Sequence, residues 1–170
     1  VREPHDHRAV ADRARYAVRR PGDRPRTYDR AVIVDERTDF GARVARHLRE
    51  DAVVWLTTVT PRGAPLPSPV WFLWDGADSV VMYSMPGARV RNVEANPLVT
   101  LNFDGDGRGG DIVVLSGEAR IDRDGPGADG DGDYVAKYSE HISRIGLTPE
   151  LFAQRYSVPV RIALTRVRGH

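Results

Sequence analysis

The stretch YSMPGARVRNVEANP, residues 83–97, sets two arginines one residue apart, Arg89 and Arg91, with Asn92 beside the second. A turn, Met85-Pro86-Gly87, precedes them, and Ala88 to Ala95 reads as a short helix stopped by Asn96-Pro97. The first N–H groups of a helix have no partner inside it. A helix start that also carries arginine forks suits a phosphate or carboxylate. Each charge-assisted hydrogen bond at such a site contributes roughly 1.5–3 kcal/mol. The competing reading is a solvated turn in which an arginine pairs with Glu94 or another nearby acid. At this point both stay open.

Other tempting patterns lack the context their chemistry needs. GDGRGG, residues 105–110, matches the letters of a dinucleotide fingerprint. Such a loop must open a helix, so that the pyrophosphate meets the helix N-terminus. Here DIVVLSG follows, which reads as a strand, so a hairpin loop is expected. Asp129, Asp131, Asp133 and Glu140 fall at calcium-loop spacing, but Tyr134 stands where the sharp turn requires glycine. A solvated linker running into a helix fits better. The histidines, His5, His7, His47, His141 and His170, form no H-E-x-x-H pair, and no metal site is expected. Ser116 lies in LSG within a strand, outside a G-x-S-x-G elbow. No nucleophile stands near a base, so the catalytic residues stay unknown. Trp55, Trp71 and Trp74 fall on the first two expected strands, as core or subunit interface, or as a wall for a planar ring.

The chain as a whole sets few chemical demands. Its 170 residues fit one domain with a sizeable core, and a net charge of +1 gives no global field for nucleic acid or membrane. Arginine nevertheless clusters early. Residues 1–30 carry nine Arg against five acids, with few large apolar side chains, and read as a disordered or loosely attached arm. The absence of cysteine excludes disulfides, thiolate catalysis and cysteine metal sites, and fits a reducing compartment. No apolar run approaches the about 18 residues of a membrane span, and the first residues lack a signal-peptide core. A cytoplasmic location is expected.

The elements that must position the basic corner are legible as patterns. Thr38 or Asp39 can cap a helix whose Phe40, Val44 and Leu48 form one apolar stripe. DAVVWLTTVT (51–60), LPSPVWFLW (66–74), SVVMYS (79–84), LVTLNFD (98–104), DIVVLSGEARI (111–121) and SVPVRIALTRV (157–167) read as six strands, the second with prolines that suit an edge. A Gly/Asp-rich loop spans 122–133. DYVAKYSEHISRIG and TPELFAQRY read as helices, the latter with Pro149 in its first turn. Six mostly sequential strands with hairpin-type links and few helices predict a mainly β, antiparallel barrel.

Taken together, VVWLTTVTPRGAPLPSPVWFLWDG and VVMYSMPGARVRNVEANPLVTLNFDGDGRGGDIVVLSGEA resemble the pyridoxamine-5′-phosphate-oxidase-like split β-barrel family, and within it the actinobacterial branch of F420-dependent enzymes. The resemblance spans residues 31–170. It implies a six-stranded antiparallel split β-barrel that forms a homodimer with cofactor sites at the interface. Thr58 to Pro65, a T-x-x-P-x-G-x-P run, would form the first hairpin. Ser68, Pro69 and Val70 would lie beside the cofactor ring, and Trp71, Phe72 or Trp74 would line its cleft. Tyr83, Ser84 and Arg89 match the family's phosphate-binding segment, with Arg91 and Asn92 adjacent. Arg89 stands where family members often carry Lys, so a planar fork replaces a point charge. FMN-using oxidases of the family carry an arginine on the second strand, where this sequence has Pro67-Ser68-Pro69. The resemblance therefore implies coenzyme F420, a deazaflavin, with FMN as the alternative. The implied function is hydride transfer between F420 and a small organic substrate; an FMN enzyme, or a non-catalytic flavin, deazaflavin or haem carrier, are the other readings.

Overall fold

Thr38 opens the first helix, α1 (Asp39–Glu50), because its hydroxyl accepts the Gly41 N–H at 3.0 Å. Gly41 is required there, since a Cβ would run into the Asp35 carbonyl. Val44 and Leu48 are fully buried and Phe40 packs on the core edge, the stripe expected from the sequence. The structure, a computed structural model, describes residues 33–170. The arm expected over residues 1–30 lies outside them.

Seven strands follow: β1 (Val54–Val59), β2 (Pro65–Val70), β3 (Leu73–Trp74), β4 (Ser79–Ser84), β5 (Leu98–Asn102), β6 (Val113–Ile121) and β7 (Val158–Gly169). They form one antiparallel sheet in the order β2-β1-β5-β6-β7-β4-β3. The remaining helices are α2 (Ala88–Ala95), α3 (Gly132–Arg144) and α4 (Pro149–Arg155), with a single 3₁₀ turn at Ala128–Gly130 in the Gly/Asp-rich loop. The mainly β, antiparallel class is as expected, and the prolines of β2 do sit on an edge strand. GDGRGG is a hairpin loop between β5 and β6.

The strand count differs from expectation, seven instead of six. Residues 66–74 do not run as one strand but break at Trp71-Phe72, and β2 and β3 end on opposite edges of the sheet. The break is held by Tyr138 of α3. Its hydroxyl accepts the Phe72 N–H at 2.9 Å and lies 2.7 Å from the Phe72 carbonyl and 2.9 Å from that of Ala52. One side chain thus satisfies the backbone groups that a continuing ladder would have paired.

Two apolar clusters flank the sheet. One joins α1 to Leu56, Leu101, Leu115 and Ile162. The other joins α3 and α4 through Tyr134, Tyr138, Ile142 and Phe152. All six residues of β4 are buried. Val80 and Met82 enter the first cluster, and Val81 and Tyr83 the second, as the two-residue side-chain period of a strand demands. Among the described residues no helix is long and apolar enough to cross a membrane.

Candidate functional site

β4 ends at Ser84, a turn follows, and α2 begins at Ala88, so the basic corner takes the form its sequence predicts. The N-cap of α2 is Gly87, which offers no side-chain acceptor, and its first turn carries no acid. The N–H groups of that turn therefore lack a side-chain cap.

Arg89 is the centre of the corner. Its Nη2 and Nε donate to Ser68 Oγ of β2 at 3.0 and 3.3 Å, and its Nη1 donates to Ser84 Oγ at 3.3 Å. Ser84 in turn donates to the Met85 carbonyl at 3.0 Å. No carboxylate pairs with Arg89 among the described residues, and burial pushes its pKa below the ordinary guanidinium value. Glu94, the acid expected to compete for an arginine here, pairs instead with Arg123 at 2.8 Å. The strands that meet at this fork lie far apart in the sheet order: β2 is one edge, and β4 is next to the other. The sheet curls enough to bring them within reach of one side chain.

Beside this fork lies a cavity of about 420 Å³. Pro69 and Val70 of β2, Trp71, Tyr83 of β4 and Arg89 contribute to its wall. Tyr134 of α3, Phe152 of α4 and Tyr156 line it as well. The aromatic rings are stacked: Trp71 on Tyr138 with centroids 5.0 Å apart, Trp71 on Phe152 at 5.4 Å, and Phe152 on Tyr156 at 4.4 Å. The Tyr83 hydroxyl donates to Asp131 Oδ2 at 3.2 Å. Burial first, and then the Asp131 charge, push the Tyr83 pKa well above the ordinary phenol value.

Of the residues singled out from the sequence, Ser68, Ser84 and Arg89 are joined directly, and Pro69, Val70 and Tyr83 line the cavity with Arg89. Arg91 and Asn92 part company from this group. Arg91 is exposed, and its side chain makes no hydrogen bond or ion pair among the described residues. Asn92 is buried and donates to Thr58 Oγ1 of β1 at 3.1 Å, which locks α2 onto the sheet. Of the three candidate ring-wall residues only Trp71 lines the cavity; Phe72 and Trp74 are core. Sequence reasoning passed over Tyr134, Phe152 and Tyr156. Tyr134, Tyr138 and Ile142, spaced four residues apart on one helix face, were the available signal for α3. Asp131, read as a spare carboxylate of the linker, is used twice: it accepts from Tyr83 and caps α3 through the Tyr134 N–H at 3.2 Å.

Solved structures share this fold. A FAD-binding protein from Mesorhizobium loti matches with a TM-score of 0.55 at 22% identity, covering 74% of this chain and 88% of that one. An F420 reductase matches with a TM-score of 0.53 at 22% identity, covering 72% and 94%. HutZ, the haem storage protein of Vibrio cholerae, matches with a TM-score of 0.54 at 15% identity, covering 78% and 95%. At these identities the likeness is one of fold. No curated protein matches the chain. The family model described as pyridoxamine 5′-phosphate oxidase matches residues 40–169, from the first helix through the last strand, and the chain belongs to that family.

Proposed function

We propose that this chain is an oxidoreductase that uses coenzyme F420 and transfers hydride between it and a small organic substrate. Arg89 carries the reading. It is half-buried, has no carboxylate partner among the described residues, and spreads its fork between two serine hydroxyls at the wall of an aromatic cavity. A guanidinium removed from water without a counter-ion is unfavourable until an anion completes the site. A cofactor with a flat ring and a phosphate matches both halves, the ring in the largely apolar cavity and the phosphate on Arg89.

When bound, a deazaflavin supplies the hydride chemistry, and the chain supplies position and dryness. Arg89 neutralises the phosphate, and Ser68 and Ser84 hold the fork in place for it. The stacked rings of Trp71, Phe152 and Tyr156 keep water from one side of the ring. Relatives of this fold include F420, FAD and haem proteins. Pro67-Ser68-Pro69 on β2, the strand on which FMN oxidases of the family carry an arginine, favours the deazaflavin. Val53, Met85 and Ile145 line the same cavity while 39%, 45% and 49% exposed. Three apolar side chains in water around a binding cavity suit coverage by a second copy of the chain, which makes the working unit a homodimer.

Parallel titrations with oxidised F420 and with FMN, followed by fluorescence, test the cofactor. F420 should bind and FMN should bind more weakly. Tight FMN binding without F420 binding would overturn the assignment, as would a haem-coloured protein indifferent to both. Turnover of a quinone or enone with reduced F420 separates an enzyme from a carrier. Light scattering tests the dimer: a monomer that binds cofactor at full affinity would remove the second copy from the site.

A further inference from the structure

Arg89 alone leaves a bound anion short of donors. A guanidinium has five N–H donors, and three of those on Arg89 go to Ser68 and Ser84. A phosphate presents three strong acceptor oxygens, more than the remaining two N–H groups can serve. Three tyrosines line the cavity with Arg89: Tyr83, Tyr134 and Tyr156. The Tyr83 hydroxyl is bonded to Asp131. That of Tyr134 is closed off from water and has no partner among the described residues. Tyr156 differs from both. It is half-buried, its hydroxyl makes no hydrogen bond among the described residues, and that oxygen is not shut away from water.

The backbone carries this residue to the basic corner. Tyr156 ends α4, where its N–H donates to the Phe152 carbonyl at 2.8 Å, and its ring stacks on Phe152 with centroids 4.4 Å apart. β7 begins just after it at Val158, and Val158 pairs with Ser84, the residue that takes Arg89 Nη1. Tyr156 therefore lies just beyond the strand end from which the turn and α2 spring. The guanidinium feels it: burial lowers the Arg89 pKa, and the Tyr156 phenol opposes that shift.

We propose that the Tyr156 hydroxyl is a second donor to the anionic group that Arg89 binds, a phosphate or a carboxylate. This deepens the cofactor reading and rests on it only in placing an anion at Arg89. The two anions share one chemistry, negative oxygens that accept N–H and O–H donors from opposite sides. F420 carries both groups in its tail, and FMN carries a phosphate alone.

Tyr156→Phe tests it, with oxidised F420, FMN, riboflavin and inorganic pyrophosphate as separate probes. Phenylalanine keeps the stack on Phe152 and removes an oxygen without a protein partner, so the ligand-free variant should melt like the wild type. Its affinity for F420 should fall about tenfold, the loss of one hydrogen bond to a charged group. An equal fall for FMN assigns the contact to the phosphate, and FMN binding that does not change assigns it to a carboxylate of the F420 tail. Riboflavin has the ring of FMN without its anion and should bind both proteins alike. Pyrophosphate should raise the melting temperature of the wild type more than that of the variant. In an Arg89→Met background the effect of Tyr156→Phe should shrink, because two donors to one anion are coupled.

Unchanged affinity for both F420 and FMN would overturn the proposal. A matching loss for riboflavin would do the same, since the hydroxyl would then serve the ring. So would a variant that melts well below the wild type, or costs that add fully with those of Arg89→Met. Failure of F420, FMN and pyrophosphate alike to bind the wild type would also end it. The cofactor reading fails separately. If pyrophosphate protects the wild type more than Tyr156→Phe while neither F420 nor FMN binds, that reading falls and this one stands. If F420 binds wild type and variant equally, the reverse holds.

Discussion

Replacing Arg89 with Met should move affinity and stability in different ways, and the structure sets both magnitudes. Methionine keeps most of the apolar stem that lines the cavity and removes only the charge. The three hydrogen bonds that disappear run to neutral hydroxyls at 3.0, 3.3 and 3.3 Å, the long end of the hydrogen-bond range, so each is worth about 0.5 kcal/mol. Against them stands the relief of leaving no half-buried, unpaired charge. The two nearly cancel, and urea unfolding of the ligand-free variant should lie within about 1 kcal/mol of wild type. With a phosphate-bearing ligand the balance is one-sided. One charge-assisted bond of roughly 1.5–3 kcal/mol is lost, which is about 10- to 150-fold in Kd. Calorimetric or fluorescence titration with F420 reads this directly, and FMN, if it binds, should show the same ratio. Because the pair is shielded from solvent, the ratio should persist at raised salt, where a surface ion pair would fade. An unchanged Kd beside unchanged stability would take Arg89 out of the site. A large loss of stability would mean that the fork's purpose is to hold the sheet and not a ligand.

The other predictions rest on single features. Arg91→Ala should raise the Kd for F420 by about twofold at most, since this exposed side chain adds only screened attraction; a loss matching that of Arg89 would mean that the ligand reaches around the helix start. Tyr138→Phe should lower unfolding free energy by about 1–3 kcal/mol in urea, because the buried Phe72 backbone loses its partner. Lys137, held over the Phe72 ring at 4.1 Å, has its pKa lowered from 10.5 to about 8 by burial. Above that value the unfolded chain binds the extra proton and the folded one does not, so stability should climb as pH rises from about 8 toward 10. The raised tyrosines pull the other way beyond about pH 10. Denaturant melts across this window should therefore show an upward slope that Lys137→Met abolishes.

Local rules carried the sequence reading a long way. β4 and α2 begin and end where the alternation of SVVMYS, the Met85-Pro86-Gly87 turn and the Asn96-Pro97 stop placed them. The same rules failed at Trp71-Phe72, where β-branched and aromatic residues continue the strand pattern without a breaker. What ends the strand there is a tyrosine hydroxyl 66 residues away in sequence, which no local pattern reveals. The break has two consequences. It sends β3 to the far edge of the sheet, giving seven strands, and it turns Trp71 out of the ladder to stack between Tyr138 and Phe152. The cavity's aromatic wall is thus a product of a long-range hydrogen bond, and only its strand-borne half was visible beforehand. Arg91 and Asn92 were inseparable from Arg89 as letters. Helical geometry divides them: successive residues are turned by about 100°, so Arg89 faces the cavity, Arg91 the solvent and Asn92 the sheet.

The position of Arg89 in the sheet order adds a last constraint. β2 lies at one edge and β4 beside the opposite one, yet a fork from the first turn of α2 rests on Ser68 of β2. Asn92 makes a parallel tie from α2 to Thr58 of β1 at 3.1 Å. The short helix therefore spans the seam of the curled sheet, with one polar tie to each of the two strands of the first hairpin. Asn92 can provide that tie without any ligand, being neutral, buried and satisfied. Arg89 cannot do so at equal advantage, because it lines a cavity to which none of the described residues contributes an acid. A seam that needed only a polar staple would be served by a neutral side chain such as Asn92. The charge at Arg89 is surplus to that structural need, and an incoming anion is what makes the surplus favourable.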